Sequence, residues 1–217
     1  MREAFDEQLD SVFADLSMMS KRVQTAVERA TLALTTGDPV VAEQVISDDI
    51  EIDRMREQVE ETAFSLLSLQ QPVAGDLRTL VGALRMVAEL ERMGDLSVHV
   101  AKVARLRVPD LAVPEELRPT IQRMAEVAQD MVERVSDIII TRDVESAIAL
   151  GRDDEEMDQL RRASFGILLG DDWSHGVEAA VDIALLGRYY ERIADHAVSI
   201  ANRVIFVVTG HNPTAVT

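Results

Sequence analysis

The feature that most constrains this chain is that its sequence is written twice. Sliding it by 105 residues lays Asp48-Asp49-Ile50-Glu51-Ile52-Asp53 over Asp153-Asp154-Glu155-Glu156-Met157-Asp158. The same offset pairs Met19 with Met124, Val27 with Val132, Glu28-Arg29 with Glu133-Arg134 and Arg56 with Arg161. Further on, an offset of 100 lays Glu91-Arg92-Met93-Gly94-Asp95 over Glu191-Arg192-Ile193-Ala194-Asp195, with Val98 over Val198 and Ala101 over Ala201. Whatever one half folds into, the other half must fold into as well.

Proline placement says what that unit is. All six prolines fall at punctuation points: Pro39, Pro72, Pro109, Pro114, Pro119 and Pro213. Between them run long stretches with apolar residues at spacings of three and four, the helical period. Aromatic residues are only 4% of the chain, and an Ala, Val, Leu, Ile and Met core favours helix-on-helix packing over sheets. The pattern predicts helices near 3–36, 40–69, 74–106, 115–141, 144–169 and 175–209. Gly37-Asp38-Pro39 and Gln70-Gln71-Pro72 break the first half, and Asp171-Asp172-Trp173-Ser174 forms a turn with an N-cap in the second. The fold expected is all-α: two tandem three-helix bundles, six long helices produced by internal duplication and antiparallel within each copy. The units expected are 1–108 and 115–210, joined by the proline-rich segment from Arg107 to Pro119, with a tail at 211–217.

Charge and composition remove several function classes. The 39 acidic against 22 basic residues give a net charge of −17, which repels nucleic-acid phosphates and anionic lipid headgroups. With no cysteine, thiolate metal sites, disulfides and thiol catalysis are excluded. The N-terminal MREAFDEQLD is too polar for a signal peptide, and no apolar run approaches the length of a bilayer span. A cytoplasmic protein without direct membrane insertion is expected.

The carboxylates carry the chemistry. Each copy holds two acidic pairs spaced by four: Asp49 with Asp53 and Glu91 with Asp95, then Asp154 with Asp158 and Glu191 with Asp195. In so acidic a chain about seven such pairs arise by chance, and a charged stripe is ordinarily a solvated face. Orientation sets these apart. At about 100° per residue, Glu91 and Asp95 share the apolar face of Leu80, Leu84, Val87 and Val98, whereas Arg78, Arg85, Glu89 and Arg92 point away. Glu191 and Asp195 share a face with Ala180, Ala184, Ala194 and Val198, and Asp49 and Asp53 lie beside Ala42, Val45 and Ile46. In an antiparallel hairpin turning near Pro72, Asp53 is level with Glu91 and Asp49 with Asp95. One turning near Ser174 levels Asp158 with Glu191 and Asp154 with Asp195.

Four facing carboxylates per bundle must be neutralised by protons, arginines or cations. Arg56 and Arg161 lie near the stripe as ion-pair partners, but one arginine cannot balance four carboxylates. An all-oxygen donor set suits hard or borderline ions such as Mg, Mn, Ca or Fe. The plain alternative is an arginine-paired polar seam. Other polar residues draw blander readings: His99, His175 and His211 as surface or turn residues, His196 on the outer face of its helix, Met18-Met19 as core filler, and Trp173 as a local cap.

At these motifs the chain resembles the PhoU family of phosphate-transport regulatory proteins, over essentially its whole length. Arg188-Tyr189-Tyr190-Glu191-Arg192-Ile193-Ala194-Asp195-His196-Ala197 is close to the family signature, and Leu90-Glu91-Arg92-Met93-Gly94-Asp95 is its first copy, with Leu96 where the second has His196. The resemblance implies that Asp49, Asp53, Glu91, Asp95, Asp154, Asp158, Glu191 and Asp195 are metal-associated positions; the ions expected there are Fe, Mn or Mg, with Arg56, Arg161, Arg92 and Arg192 as charge partners. It also implies a cytoplasmic negative regulator that links a phosphate ABC transporter to a sensor histidine kinase. Such a protein would sit at the inner membrane face through protein partners, and a homodimer is left open. No catalytic residues are expected. The competing classes are a carboxylate-bridged metal enzyme and a bare helical scaffold. The Glu-x-x-His motif of ferritin-like oxidases is missing, because Gly94 and Ala194 stand at the histidine positions.

Overall fold

The computed structural model describes residues 2–70, 72, 74–151 and 154–211, the side chains of 2–4, 70 and 154 excepted. Among these residues every regular element is helical. α1 spans Arg2–Thr36, α2 Pro39–Gln70, α3 Gly75–Arg107, α4 Arg118–Thr141, α5 Val144–Leu150, α6 Asp154–Leu168 and α7 Gly176–Thr209. A 3-10 turn at Glu115–Leu117 leads into α4 and takes the first residues of the expected fourth helix. Most of the expected tail lies outside the described residues.

Local chemistry places the breaks. Gly37 adopts φ +67°, a left-handed conformation that glycine takes at little cost. Asp38 then caps α2, its Oδ1 accepting from the N–H of Val40 at 2.8 Å and of Val41 at 3.2 Å. Asp143 caps α5 in the same way through Glu145 N–H. The N-cap expected in the Asp171-Asp172-Trp173-Ser174 turn is not formed: α7 starts after His175 without a side-chain cap. Trp173 instead closes the turn, its indole N–H donating to the Gly176 carbonyl at 2.8 Å.

The stretch 144–169, read above as one helix, holds two among the described residues, α5 ending at Leu150 and α6 beginning at Asp154. At the position of Gly151 the first copy has Ile46, inside the unbroken α2. Glycine is a poor helix residue, and the acidic residues from Asp153 to Glu156 favour a new helix N-terminus.

Within the first copy, Arg29 of α1 pairs with Asp48 of α2 at 3.0 Å and Arg105 of α3 with Glu43 of α2 at 2.6 Å, contacts that require antiparallel neighbours. Between the copies α1 packs against α4, where Ser17 and Ser136 hydroxyls meet at 3.1 Å and Arg142 reaches Asp10 at 2.8 Å. α3 packs against α7. There Arg78 donates to the Val207 carbonyl at 3.1 Å, Glu89 meets His196 at 2.7 Å, and Arg107 pairs with Asp182 at 2.5 Å. These contacts run α3 and α7 antiparallel. Exchanging each residue for its counterpart in the other copy converts the Glu89–His196 crossing into Tyr189–Leu96, so a local twofold axis passes through the α3–α7 seam. Buried apolar side chains from both copies form one contiguous core.

Candidate functional site

α2 and α3 approach closely where the first carboxylate set lies, and Gly94 makes this approach sterically allowed. A Cβ at Gly94 would stand 3.0 Å from Ile52 Cδ1 and 3.3 Å from Asp49 Oδ1. The carboxylates act on one another across this contact. Partial burial, then the charges of Asp95, Asp53 and Glu91, push Asp49 up to about 6, against a smaller opposing pull from Lys102. Glu91 is raised by partial burial and by Asp95 and Asp53, with Arg56 and Arg92 opposing. Asp95, Asp53 and Glu91 thus all lie near enough to Asp49 to act on it.

The burial of these groups is less uniform than helical-wheel placement suggested. Glu191 is buried at 8% exposure; Asp49, Asp53, Glu91 and Asp158 are half-buried; Asp95 and Asp195 are exposed. The exposed pair lies at the rim of the seam because the wheel treats a helix as having one partner, whereas α3 and α7 each touch several helices. The side chain of Asp154 lies outside the described residues.

In the second copy arginines dominate. Glu191 accepts from Arg161 at 2.8 Å and from Arg188 at 2.7 Å, so both its oxygens are engaged. Asp158 pairs with Arg162 at 3.5 Å. Partial burial, then Glu191, raise the Asp195 carboxyl, with Arg188, His196 and Arg192 opposing. Arg56, the counterpart of Arg161, influences Glu91 only at longer range, and the Nε atoms of both arginines are buried without a hydrogen-bond partner. The two sets are thus unequal: one is carboxylate-rich, the other half-neutralised.

In chemistry the first set fits a hard cation, being four neighbouring carboxylates of which Asp49 is held far above its ordinary value. Yet among the described residues no three carboxylate or histidine groups converge closely enough to hold an ion as they stand. Binding there requires side-chain rotation toward a common point.

Comparison with known proteins bears on the chain as a whole. The family model described as "PhoU domain" matches residues 16–104 and again 121–204, one match in each copy of the duplication. The chain belongs to the PhoU family. It is 47% identical, over 98% of its length and the whole of the relative, to the Mycobacterium tuberculosis phosphate-specific transport system accessory protein PhoU homolog 2. It is also 47% identical to the Mycobacterium leprae PhoU homolog 1, over 98% of this chain and 96% of that one. In solved structures it matches the phosphate transport system regulatory protein PhoU from Streptococcus pneumoniae with a TM-score of 0.86 and 26% identity, covering 96% of this chain and 98% of that one. PhoU from Pseudomonas aeruginosa matches with 0.84 and 27%, over 95% and 100%.

Several residues of the PhoU domains escaped the sequence reading. Arg188 completes the pairing of Glu191, and the signal was present: it stands one turn before Glu191, where the first copy has Ala88. His196 does not lie on an outer face. It is 6% exposed and bound to Glu89 inside the α3–α7 seam, because that face of α7 is covered by the other copy. Glu89 is correspondingly half-buried rather than outward. Met19 is core, whereas Met18 is 54% exposed. His99, His175 and His211 are exposed, as expected.

Proposed function

We propose that this chain regulates phosphate uptake and phosphate-starvation signalling by linking a phosphate ABC transporter to a sensor histidine kinase. The observation that carries this reading is end-to-end similarity to relatives named as accessory proteins of phosphate-specific transport systems. In this role the chain is an adaptor, not an enzyme, acting as a negative regulator. Its place is the cytoplasm, at the membrane face through those partners; no helix among the described residues is long and apolar enough to cross a membrane.

The carboxylates belong to the same reading. Asp49, Asp53, Glu91 and Asp95 would hold Fe, Mn or Mg, with Asp154, Asp158, Glu191 and Asp195 as the second set. The ion would supply charge compensation and cross-link α2 to α3. The coupled, proton-seeking Asp49 supports this assignment. Arg56, Arg92, Arg161 and Arg192 would balance charge when ion occupancy is incomplete.

Co-purification from native membranes at low salt tests the adaptor role. Retention of a phosphate transporter subunit and a histidine kinase is the expected outcome, weakening as ionic strength rises because exposed charges steer such contacts. Retention of neither removes the role.

A further inference from the structure

The local twofold axis between the two PhoU domains opens onto a groove of about 450 Å³ beside the first carboxylate set, whose Asp95 lies on its rim. Arg92 and His99 of α3 line one wall, and Arg188, Tyr189 and Arg192 of α7 line the other. Arg92 and Arg192 are counterparts in the two copies, so the axis brings the same guanidinium in from both sides. The His99 ring stacks on Tyr189 at 5.3 Å. In a chain of net charge −17, three arginines line this groove, with Asp95 the one carboxylate in its lining and Glu89 and Glu191 lying behind Arg92 and Arg188.

These charges are only partly answered. Arg188 is held by Glu191 at 2.7 Å, and Arg92 stands 3.6 Å from Glu89 with 56% of its side chain exposed. Arg192 is exposed and makes no hydrogen bond or ion pair among the described residues; Asp195 is a nearby charge that it influences. Like charges gathered on a symmetry axis repel unless something of opposite sign sits between them. Planar guanidinium forks match tetrahedral oxyanions, offering two parallel N–H donors each. We propose that this groove binds a small multivalent oxyanion of the phosphate or sulfate kind, held by Arg92 and Arg192 together and so shared by the two domains. Its basis is the arginine geometry, independent of the transporter role.

The test is titration of the full-length, chelator-treated protein with inorganic phosphate against chloride at matched ionic strength, followed by calorimetry and by the Nε–H resonances of the arginines. Chelator treatment removes ions that would bind phosphate themselves. Saturable binding with Kd of about 1 mM or tighter is expected. Arg192→Gln and Arg92→Gln should each weaken it by about tenfold, the scale of one lost charge-assisted hydrogen bond. Arg162→Gln, on an exposed stretch of α6 away from the groove, should not change it. Because Arg92 and Arg192 are exposed, these variants should fold normally, as melting curves would verify. Binding that never saturates, or that is equally strong in Arg192→Gln, overturns the proposal. Neither result bears on co-purification with a transporter.

Discussion

Glu89 of α3 and His196 of α7 meet across the boundary between the repeats, carboxylate Oε2 2.7 Å from imidazole Nδ1, and they do so on one side of the local twofold only. At the symmetry-related crossing the counterparts are Tyr189 and Leu96. Duplication produced two equivalent crossings, one of which carries a buried polar pair and the other an aromatic against an aliphatic. The pair therefore makes one crossing of the seam polar and directional, where the other is held by apolar contact alone.

That pair should show in acid stability. The hydrogen bond from His196, and secondarily the charges of His196, Arg92 and Arg203, hold the Glu89 carboxyl below its ordinary value despite the opposing burial. A carboxylate whose pKa is depressed on folding adds stability that is present above its unfolded value, 4.5, and is lost as pH falls through the lower folded value. Glu89→Gln should reduce unfolding free energy at pH 7 by about 1–3 kcal/mol, the cost of breaking a charged hydrogen bond within the fold. The difference from wild type should shrink below pH 4.5. Denaturant melts at several pH values check this, and a loss that stays constant into strong acid would count against it.

Gly82 is a second place where the α3–α7 seam is set by a single atom. A Cβ there would overlap Val207 Cγ2, although alanine is intrinsically the better helix residue. Gly82→Ala should therefore destabilise by about 1–3 kcal/mol, as overpacked core positions do. Val207→Ala in the same chain should recover much of that loss. A stabilised Gly82→Ala single mutant would mean that the seam gives way easily.

Much of this architecture was legible because it depends on patterns that single helices carry. Proline placement and the three-four spacing gave the helix spans, and the offset of Glu91 to Glu191 gave the duplication. Equal distances from the turn at Pro72 are enough to place Asp49 near Asp95. What stayed hidden depends on a partner outside the repeat. His196 looked outward because its own bundle leaves that face free, and only the packing of α7 on α3 covers it. Asp95 and Asp195 looked inward because a wheel records direction and not how deep the neighbouring helix reaches. Gly151 was readable as a weak helix residue, but proline placement and apolar spacing do not mark a break there, since glycine alone costs a helix only about 1 kcal/mol.

The inequality of the two carboxylate sets predicts unequal responses to arginine removal. Arg161 pairs with buried Glu191, whereas Arg56 touches Glu91 only at longer range. Arg161 is partly solvated and Arg188 remains to hold the other oxygen, which discounts the loss. Arg161→Met should cost about 1–2 kcal/mol by chemical denaturation, and Arg56→Met less. Equal losses would show that both arginines act through packing of their aliphatic stems and not through charge.

Asp49 supplies the sharpest test of the metal reading, because protons and metal act on it with opposite signs. Its carboxyl is raised to about 6 from the ordinary 3.8 by partial burial and by Asp95, Asp53 and Glu91. A carboxyl raised on folding binds more protons in the native state, so stability falls as pH climbs through the interval between those values and then levels off. In chelator-treated protein Asp49→Asn should thus be more stable than wild type at pH 7.5, with the advantage fading as pH drops toward 4. Added Mn, Fe or Mg reverses the order: a cation that binds only the folded state raises the melting temperature by mass action, and the asparagine variant has lost one oxygen charge with which to hold it. Asp95→Asn with Asp195→Asn should likewise blunt the rise. If metal raises the melting temperature of wild type and of these variants by the same amount, the ion is held elsewhere and the coupled carboxylates are a proton-sharing seam.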